Sequence, residues 1–322
     1  MKKIFATLVL SLFVLSTNAT RIKVGVLAPE GTNWAKHMKK MGKEIKKKTD
    51  GKVKFKFYFG GAQGDEVDVL RKVRINQLQG GIFTGKTLGD IYGDIRLVEI
   101  PFVFGDDRAK AWSTVEKLTP YFDKGIEGAG FVNLGFFEIG LVYFVSQQKT
   151  ENLGALKGVK IWSWEGDRIV ETMIEKMKLV SVPLPLPDVL SSLSTGIIEA
   201  AYAPAMPIIA LQWSSKVKYL VDFPVAYSVG SFLISNKAWA KIKPEHRNIV
   251  KEVSKKYMAK VNESNIADNK AALSTIKEGG VEFLKFPKAD EDKAKTLKQE
   301  IMTKLKGKLF TEKGLSKLKA AL

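Results

Sequence analysis

Two tryptophans two residues apart, Trp162 and Trp164, are the most chemically distinctive pair in this 322-residue chain. They lie on a short apolar run, Val159 to Trp164, which follows a Lys157-Gly158 turn and leads through a Gly166-Asp167 cap into an amphipathic helix from about Arg168 to Met177. Residues two apart on a strand share a face, so the two indoles point to one place, with Glu165, Asp167 and Arg168 just beyond them. An indole supplies a flat apolar wall, a single N–H donor and a face that attracts cations, which is chemistry for holding a ligand rather than for breaking a bond. The other reading of such a pair is core packing. Core packing is the commoner of the two, but strand-to-helix crossovers place ligands at strand ends in open α/β sheets, so both readings stay open on these residues alone.

Groups that could do catalysis are scarce. The chain has no Cys and two His; His37 lies on a Lys-rich helix face and His246 in a Pro-Glu-His-Arg turn, and neither is placed as a general base beside a partner. No His and carboxylate cluster has metal-ligand spacing. The expectation is a chain that is not an enzyme and that uses no metal and no cofactor.

Residues 1–19 join Met-Lys-Lys to an apolar run, Ile4 to Ser16, that is too short to span a bilayer and ends near a small residue, Ala19. This describes a secretory signal peptide cleaved near Ala19, hence export to the periplasm. The formal charge of +18 becomes +16 without Lys2 and Lys3, yet only 7 of the 52 basic residues are Arg. The lysines spread along helix faces, as at Lys36, Lys39, Lys40 and Lys43. That is the pattern of a solvated face, so no nucleic-acid partner is expected.

The elements that must position the tryptophans follow from periodicity. A strand at Arg21–Ala28 that passes from alternating to apolar, a strictly alternating one at Val53–Phe59 and a short third at Gly80–Thr84 are separated by helices at about Trp34–Lys48 and Glu66–Gln77, the second capped by Asp65, which implies a parallel sheet with packed helices. A helix at Ala109–Gly128 leads to two strands, Phe131–Phe137 and Leu141–Ser146. Beyond the tryptophan segment come a strand at Val180–Pro183, a helix Val189–Ser194 with Asp188 as its cap, strands at Val217–Asp222 and Tyr227–Asn236, and a helix from about Pro244 to Lys277. That last helix is long enough to run from one domain to another.

Gly60 to Glu66, the Ile100-Pro101-Phe102-Val103-Phe104 loop, Leu156-Lys157-Gly158-Val159-Lys160-Ile161, Val182-Pro183-Leu184 and Asp188-Val189-Leu190 followed by Leu193 to Ala200 occur in a specific order and spacing. In that order the chain resembles the extracytoplasmic solute receptors of TRAP (tripartite ATP-independent periplasmic) transporters. The resemblance implies an α/β, type II periplasmic-binding-protein fold of two lobes with a hinge and a long domain-spanning helix. It divides the mature chain into residues 20–139 plus 228–267 and residues 140–227 plus 268–322. It implies a monomeric receptor that closes on a small-molecule ligand and delivers it to integral-membrane TRAP subunits. The alternative is a periplasmic sensor or a lipid- and hydrophobe-handling protein on the same fold.

The resemblance also exposes a departure. Most of the family has, after Lys-Ile, an Arg that forms a bidentate pair with a substrate carboxylate; this chain has Trp162, and a second basic position falls near Leu141. The ligand expected is therefore not a simple carboxylate but something larger, more apolar, cationic, or held by hydrogen bonds. Trp162 and Trp164 lead the expected ligand-binding residues, with Asp167 beside them and Arg168 as a group that could restore a clamp. Glu66, Asn33, Trp34, Phe83, Tyr143 and Tyr202 complete the set.

Overall fold

The computed structural model describes residues 19–322, so the expected signal segment, Ala19 excepted, lies outside the described residues. The chain opens with β1 (Thr20–Gly25), α1 (Asn33–Lys48), β2 (Val53–Tyr58), α2 (Glu66–Arg74) and β3 (Gly80–Thr84). Next come α3 (Gly85–Ile91), a 3-10 segment Gly93–Glu99, α4 (Arg108–Gly128) and β4 (Phe131–Ser146). The second unit is β5 (Lys160–Ser163), α5 (Arg168–Lys176), β6 (Val180–Pro183), α6 (Val189–Thr195), β7 (Ala200–Pro204) and α7 (Ala205–Ala210). The chain finishes with β8 (Tyr219–Val221), β9 (Ala226–Ser235), α8 (Asn236–Ala240), α9 (Pro244–Glu278), β10 (Glu282–Leu284), α10 (Ala289–Leu305) and α11 (Glu312–Ala321).

The helices form where the pattern places them. In α1 the buried residues Trp34, Ala35, Met38, Met41 and Ile45 fall at helical spacing, the lysines take the outer face, and the Thr32 hydroxyl accepts from the Ala35 N–H at 3.2 Å as the N-cap. Among the described residues no helix is long and apolar enough to cross a membrane.

The strand order is β2-β1-β3-β9-β4-β7-β5-β6, with β8 joining β4 to β10. Pairing is parallel within β1-β2-β3 and within β5-β6-β7. It is antiparallel at β3–β9, β9–β4 and β4–β7, so the expected parallel sheet holds in each half and not in the middle. The reason is that β4 and β9 belong to both halves. β4 begins beside β9 with Phe131 opposite Ser235 and ends with Val142 to Ser146 against β7, giving two lobes joined by two continuous strands.

The sequence suggested two strands where the structure has the single 16-residue β4. Its register shifts between Asn133 and Phe136 and again between Glu138 and Gly140, and the glycines at Gly135 (φ 143°) and Gly140 (φ 138°) allow the strand to bend without ending. A bulge leaves backbone groups unpaired, and α9 supplies the partners. Asn262 accepts from the Glu138 N–H at 2.6 Å, Asn265 donates to the Glu138 carbonyl at 2.6 Å, and Asn269 donates to the Ile139 carbonyl at 2.7 Å. Spaced three and four apart, these asparagines share one helix face. Asn269 also accepts from the Met206 N–H at 2.9 Å, which ties α7 to the same point.

Two smaller expectations are corrected. Asp188 precedes α6 but makes no side-chain cap bond, because its own backbone is already helical (φ −88°, ψ −6°) at the end of the 186–188 turn. The C-terminal tail, expected to lie wholly with residues 140–227, touches both halves. α10 pairs with α5 through Lys176–Glu300 and Lys304–Glu175, whereas α11 docks on α4, where Lys117 donates to the Ala321 carbonyl at 3.0 Å.

The bulge gives a direct test. A methyl group at Gly140 would sit 2.7 Å from Asn269 Nδ2 at a φ that L-residues rarely adopt. Gly140→Ala should lower stability by about 2 kcal/mol in urea unfolding, since overpacking costs about 1–3 kcal/mol. An unchanged midpoint would show that the asparagine row does not hold the bulge.

Candidate functional site

A cavity of about 170 Å³ lies between the two halves, lined by residues from the β1–α1 loop, the start of α2, the 93–99 segment, β4, the β5–α5 turn, β7 and α7. Six of the ten residues singled out from sequence line it: Trp34, Glu66, Trp162, Trp164, Asp167 and Tyr202. The rest of the wall is mostly apolar, with Leu27, Ile139, Val142, Met173, Met206 and Leu211 among its members.

Trp162 is only 2% exposed and sits at the centre of an aromatic cluster. Its ring stacks on Tyr202 (centroids 5.0 Å apart, 25° between planes) and meets Trp164 and Trp213 edge-on at 5.0 and 5.5 Å. Its Nε1 donates to the Leu184 carbonyl at 2.9 Å. Trp162 therefore borders the cavity as part of a packed wall, and the half-buried Trp164 and Tyr202 are the rings more available to a ligand. The Trp164 Nε1 reaches across to Asp65 Oδ2 at 3.2 Å; the same oxygen accepts from the Leu186 N–H at 3.4 Å, and Oδ1 holds the Glu66 N–H at 2.6 Å. Trp34 is nine-tenths buried beside Phe137, with its Nε1 unpartnered.

Four of the ten residues lie elsewhere. Asn33 turns outward and donates to Asp268 on α9 at 3.0 Å. Phe83 and Tyr143 are core residues, because alternation along β3 and β4 gives the cavity face to Thr84 and Val142 instead. Burial pushes the Tyr143 phenol up to about 12. Arg168 points away and donates to the Lys308 carbonyl at 2.6 Å, so it restores no clamp.

The cavity has a cation that the sequence reading missed. Arg96 is 4% exposed, and its Nη2 donates to both oxygens of Asp167, at 3.1 and 3.2 Å, while its Nε lies 2.5 Å from Glu99 Oε2. Burial works against its charge and the Asp167 and Glu99 carboxylates more than reverse the effect, so the guanidinium is raised above its ordinary range. Glu99 is pushed up by burial, against the pull of Arg96, and its other oxygen accepts from the Val229 N–H at 3.1 Å. Asp167 caps α5 as well, accepting from the Ile169 and Val170 N–H groups at 3.1 and 3.2 Å. The available signal was Arg96-x-x-Glu99 inside the apolar run Ile95 to Val103, a charged pair at helical spacing with apolar neighbours on both sides.

Glu66, buried at the start of α2, accepts from the Thr84 N–H at 2.7 Å and the Thr84 hydroxyl at 2.8 Å. Burial raises its carboxyl to about 8, the two Thr84 bonds opposing the rise, so it is largely uncharged at neutral pH.

A family model, DctP: Bacterial extracellular solute-binding protein, family 7, matches residues 24–308. The chain belongs to this family. Among curated relatives, a solute-binding protein of Verminephrobacter eiseniae is 20% identical over 229 residues, 69% of this chain and 67% of the relative. Among solved structures, the TRAP periplasmic solute-binding protein of Haemophilus influenzae with bound L-gulonate superposes with a TM-score of 0.87 at 20% identity, over 94% of this chain and 99% of that one. The TRAP periplasmic solute-binding protein of Desulfovibrio salexigens with bound orotic acid gives 0.83 at 19%, over 94% and 97%. At these identities the structures show a shared fold, and the family 7 solute-binding protein described here has the two-lobed α/β architecture of those receptors.

Because the Glu66 pKa is raised from 4.5 to about 8, the folded state holds a proton that the unfolded chain releases between those values. The stability this contributes is complete below about pH 4.5 and is lost as pH rises through about 8. Glu66→Gln should therefore flatten the decline of the urea midpoint between about pH 5 and 8 relative to the unsubstituted protein. An identical pH slope in both proteins would contradict the buried, protonated carboxyl.

Proposed function

We propose that this family 7 protein is an exported, monomeric receptor that closes on a small, largely apolar and uncharged solute and hands it unchanged to integral-membrane TRAP subunits. The two lobes would be residues 20–139 plus 228–267 and residues 140–227 plus 268–322, the last helix, α11, reaching back to α4 of the first lobe, with the bulged β4, β9 and α9 as the connections that flex. Export would follow cleavage of the signal segment near Ala19. The site residues in this reading are Trp34, Glu66, Trp162, Trp164, Asp167 and Tyr202, joined by Arg96.

One observation carries the ligand class: Arg96 is the single cation among the residues lining the cavity, and both carboxylates that pair with it belong to the protein. The solved relatives hold L-gulonate and orotic acid, ligands that bring a carboxylate of their own. In this chain the position after Lys-Ile is Trp162, wedged among three aromatic rings, and Leu141 packs into the core. A carboxylate entering this cavity would lose its hydration without gaining a free counter-charge, which is strongly unfavourable. A neutral apolar solute meets aromatic walls and loses little hydration.

Titration calorimetry tests the reading. Succinate and D-glucuronate should give no heat at micromolar concentrations, whereas a neutral aromatic such as indole should bind, and Tyr202→Ala should weaken it about tenfold, roughly 1.4 kcal/mol. Micromolar binding of either acid to the unsubstituted protein would refute the proposal.

A further inference from the structure

We propose that Asp167 is the specificity-determining residue of this cavity, a carboxylate built into the chain that occupies the guanidinium a ligand carboxylate would otherwise take. The inference rests on the cavity being the solute site. The Arg96–Asp167 contact brings a carboxylate to the guanidinium inside the cavity: one guanidinium nitrogen faces both oxygens, at 3.1 and 3.2 Å, and both side chains are at least 95% buried. The two residues come from opposite sides of the cavity, Arg96 from the 93–99 segment ahead of α4 and Asp167 from the cap of α5. Asp167 therefore enters the site from across the gap, as a bound solute would.

Helix capping alone does not explain an aspartate here. The two N–H groups at the start of α5 are accepted by Oδ1 alone, and Ser or Asn caps a helix as well as Asp does. The second oxygen, Oδ2, makes its contact with Arg96. Tethering gives this carboxylate an effective concentration at least in the millimolar range, so a free anion at micromolar concentration cannot displace it. Glu99 holds Arg96 from its other side and stays in place when Asp167 is changed, leaving one guanidinium edge to be satisfied.

The test is Asp167→Ser, which keeps a capping oxygen and leaves the space of a carboxylate beside Arg96. With sodium chloride as the ionic-strength control, sodium acetate should raise the thermal midpoint of Asp167→Ser saturably while leaving the unsubstituted protein unmoved. Calorimetry should then show acetate binding at least tenfold tighter to the variant. Adding Arg96→Gln to Asp167→Ser should abolish the response. A folded Asp167→Ser protein that acetate stabilises no more than chloride does would overturn the proposal. If Asp167→Ser fails to fold, Asp167→Gly, which a helix N-cap tolerates and which also vacates the space of the carboxylate, takes the same measurement, and no acetate response there also overturns it. Indole binding to the unsubstituted protein separates the two readings. Acetate rescue without indole binding supports Asp167 as the resident carboxylate and refutes the neutral solute; indole binding without rescue refutes the role of Asp167 alone.

Discussion

A guanidinium sealed from water has to be neutralised where it sits, and in this protein the chain itself does so at Arg96. Removing one partner of such a buried group costs about 3–5 kcal/mol, so the elements that carry the partners are constrained together. Glu99 binds the charge to β9 through the Val229 N–H, and Asp167 binds it to the first turn of α5. One cluster thus fixes both sides of the cavity and leaves the interior without an available positive charge. The functional consequence follows from that closure of the charge balance, because a receptor selects a charged solute only with a counter-charge it has not already satisfied.

The aromatic wall is the second half of the same arrangement. Trp162, hydrogen-bonded to Leu184 and enclosed by Tyr202, Trp164 and Trp213, is part of a packed layer. Trp164 carries the layer across the gap by donating to Asp65 at the start of α2. Behind it, the asparagine row of α9 satisfies the backbone of the β4 bulge, so the strand can bend at Gly140 without leaving polar groups exposed to the core. A rigid apolar wall on each lobe and a hydrogen-bonded bend between them are the parts a closing receptor requires.

Much of this was legible in the sequence because it is local. Alternation gave β2, helical spacing gave α1 and the 35-residue α9, and the Gly166-Asp167 cap marked the start of α5. The ordered landmarks identified the fold. What escaped depends on distance along the chain. Arg96 and Asp167 are 71 residues apart and Asp65 and Trp164 are 99 apart, and no local pattern pairs them. Strand alternation decided the fate of Phe83 and Tyr143, but only the packed structure shows which face meets the cavity. Arg168 and Asn33 were read as inward because of their neighbours, whereas Lys308 and Asp268, far along the chain, draw them outward. The double glycine bend in β4 read as a gap between two strands because a bulge and a strand end share the same residue.

The claim on which everything else turns is that the solute carries no carboxylate. Mass spectrometry of the protein purified from its native periplasm without refolding, first intact and then after solvent release of the bound molecule, measures this directly. The account requires a neutral, largely apolar compound at near-stoichiometric occupancy. A uronate, dicarboxylate or other small acid at that occupancy would contradict it.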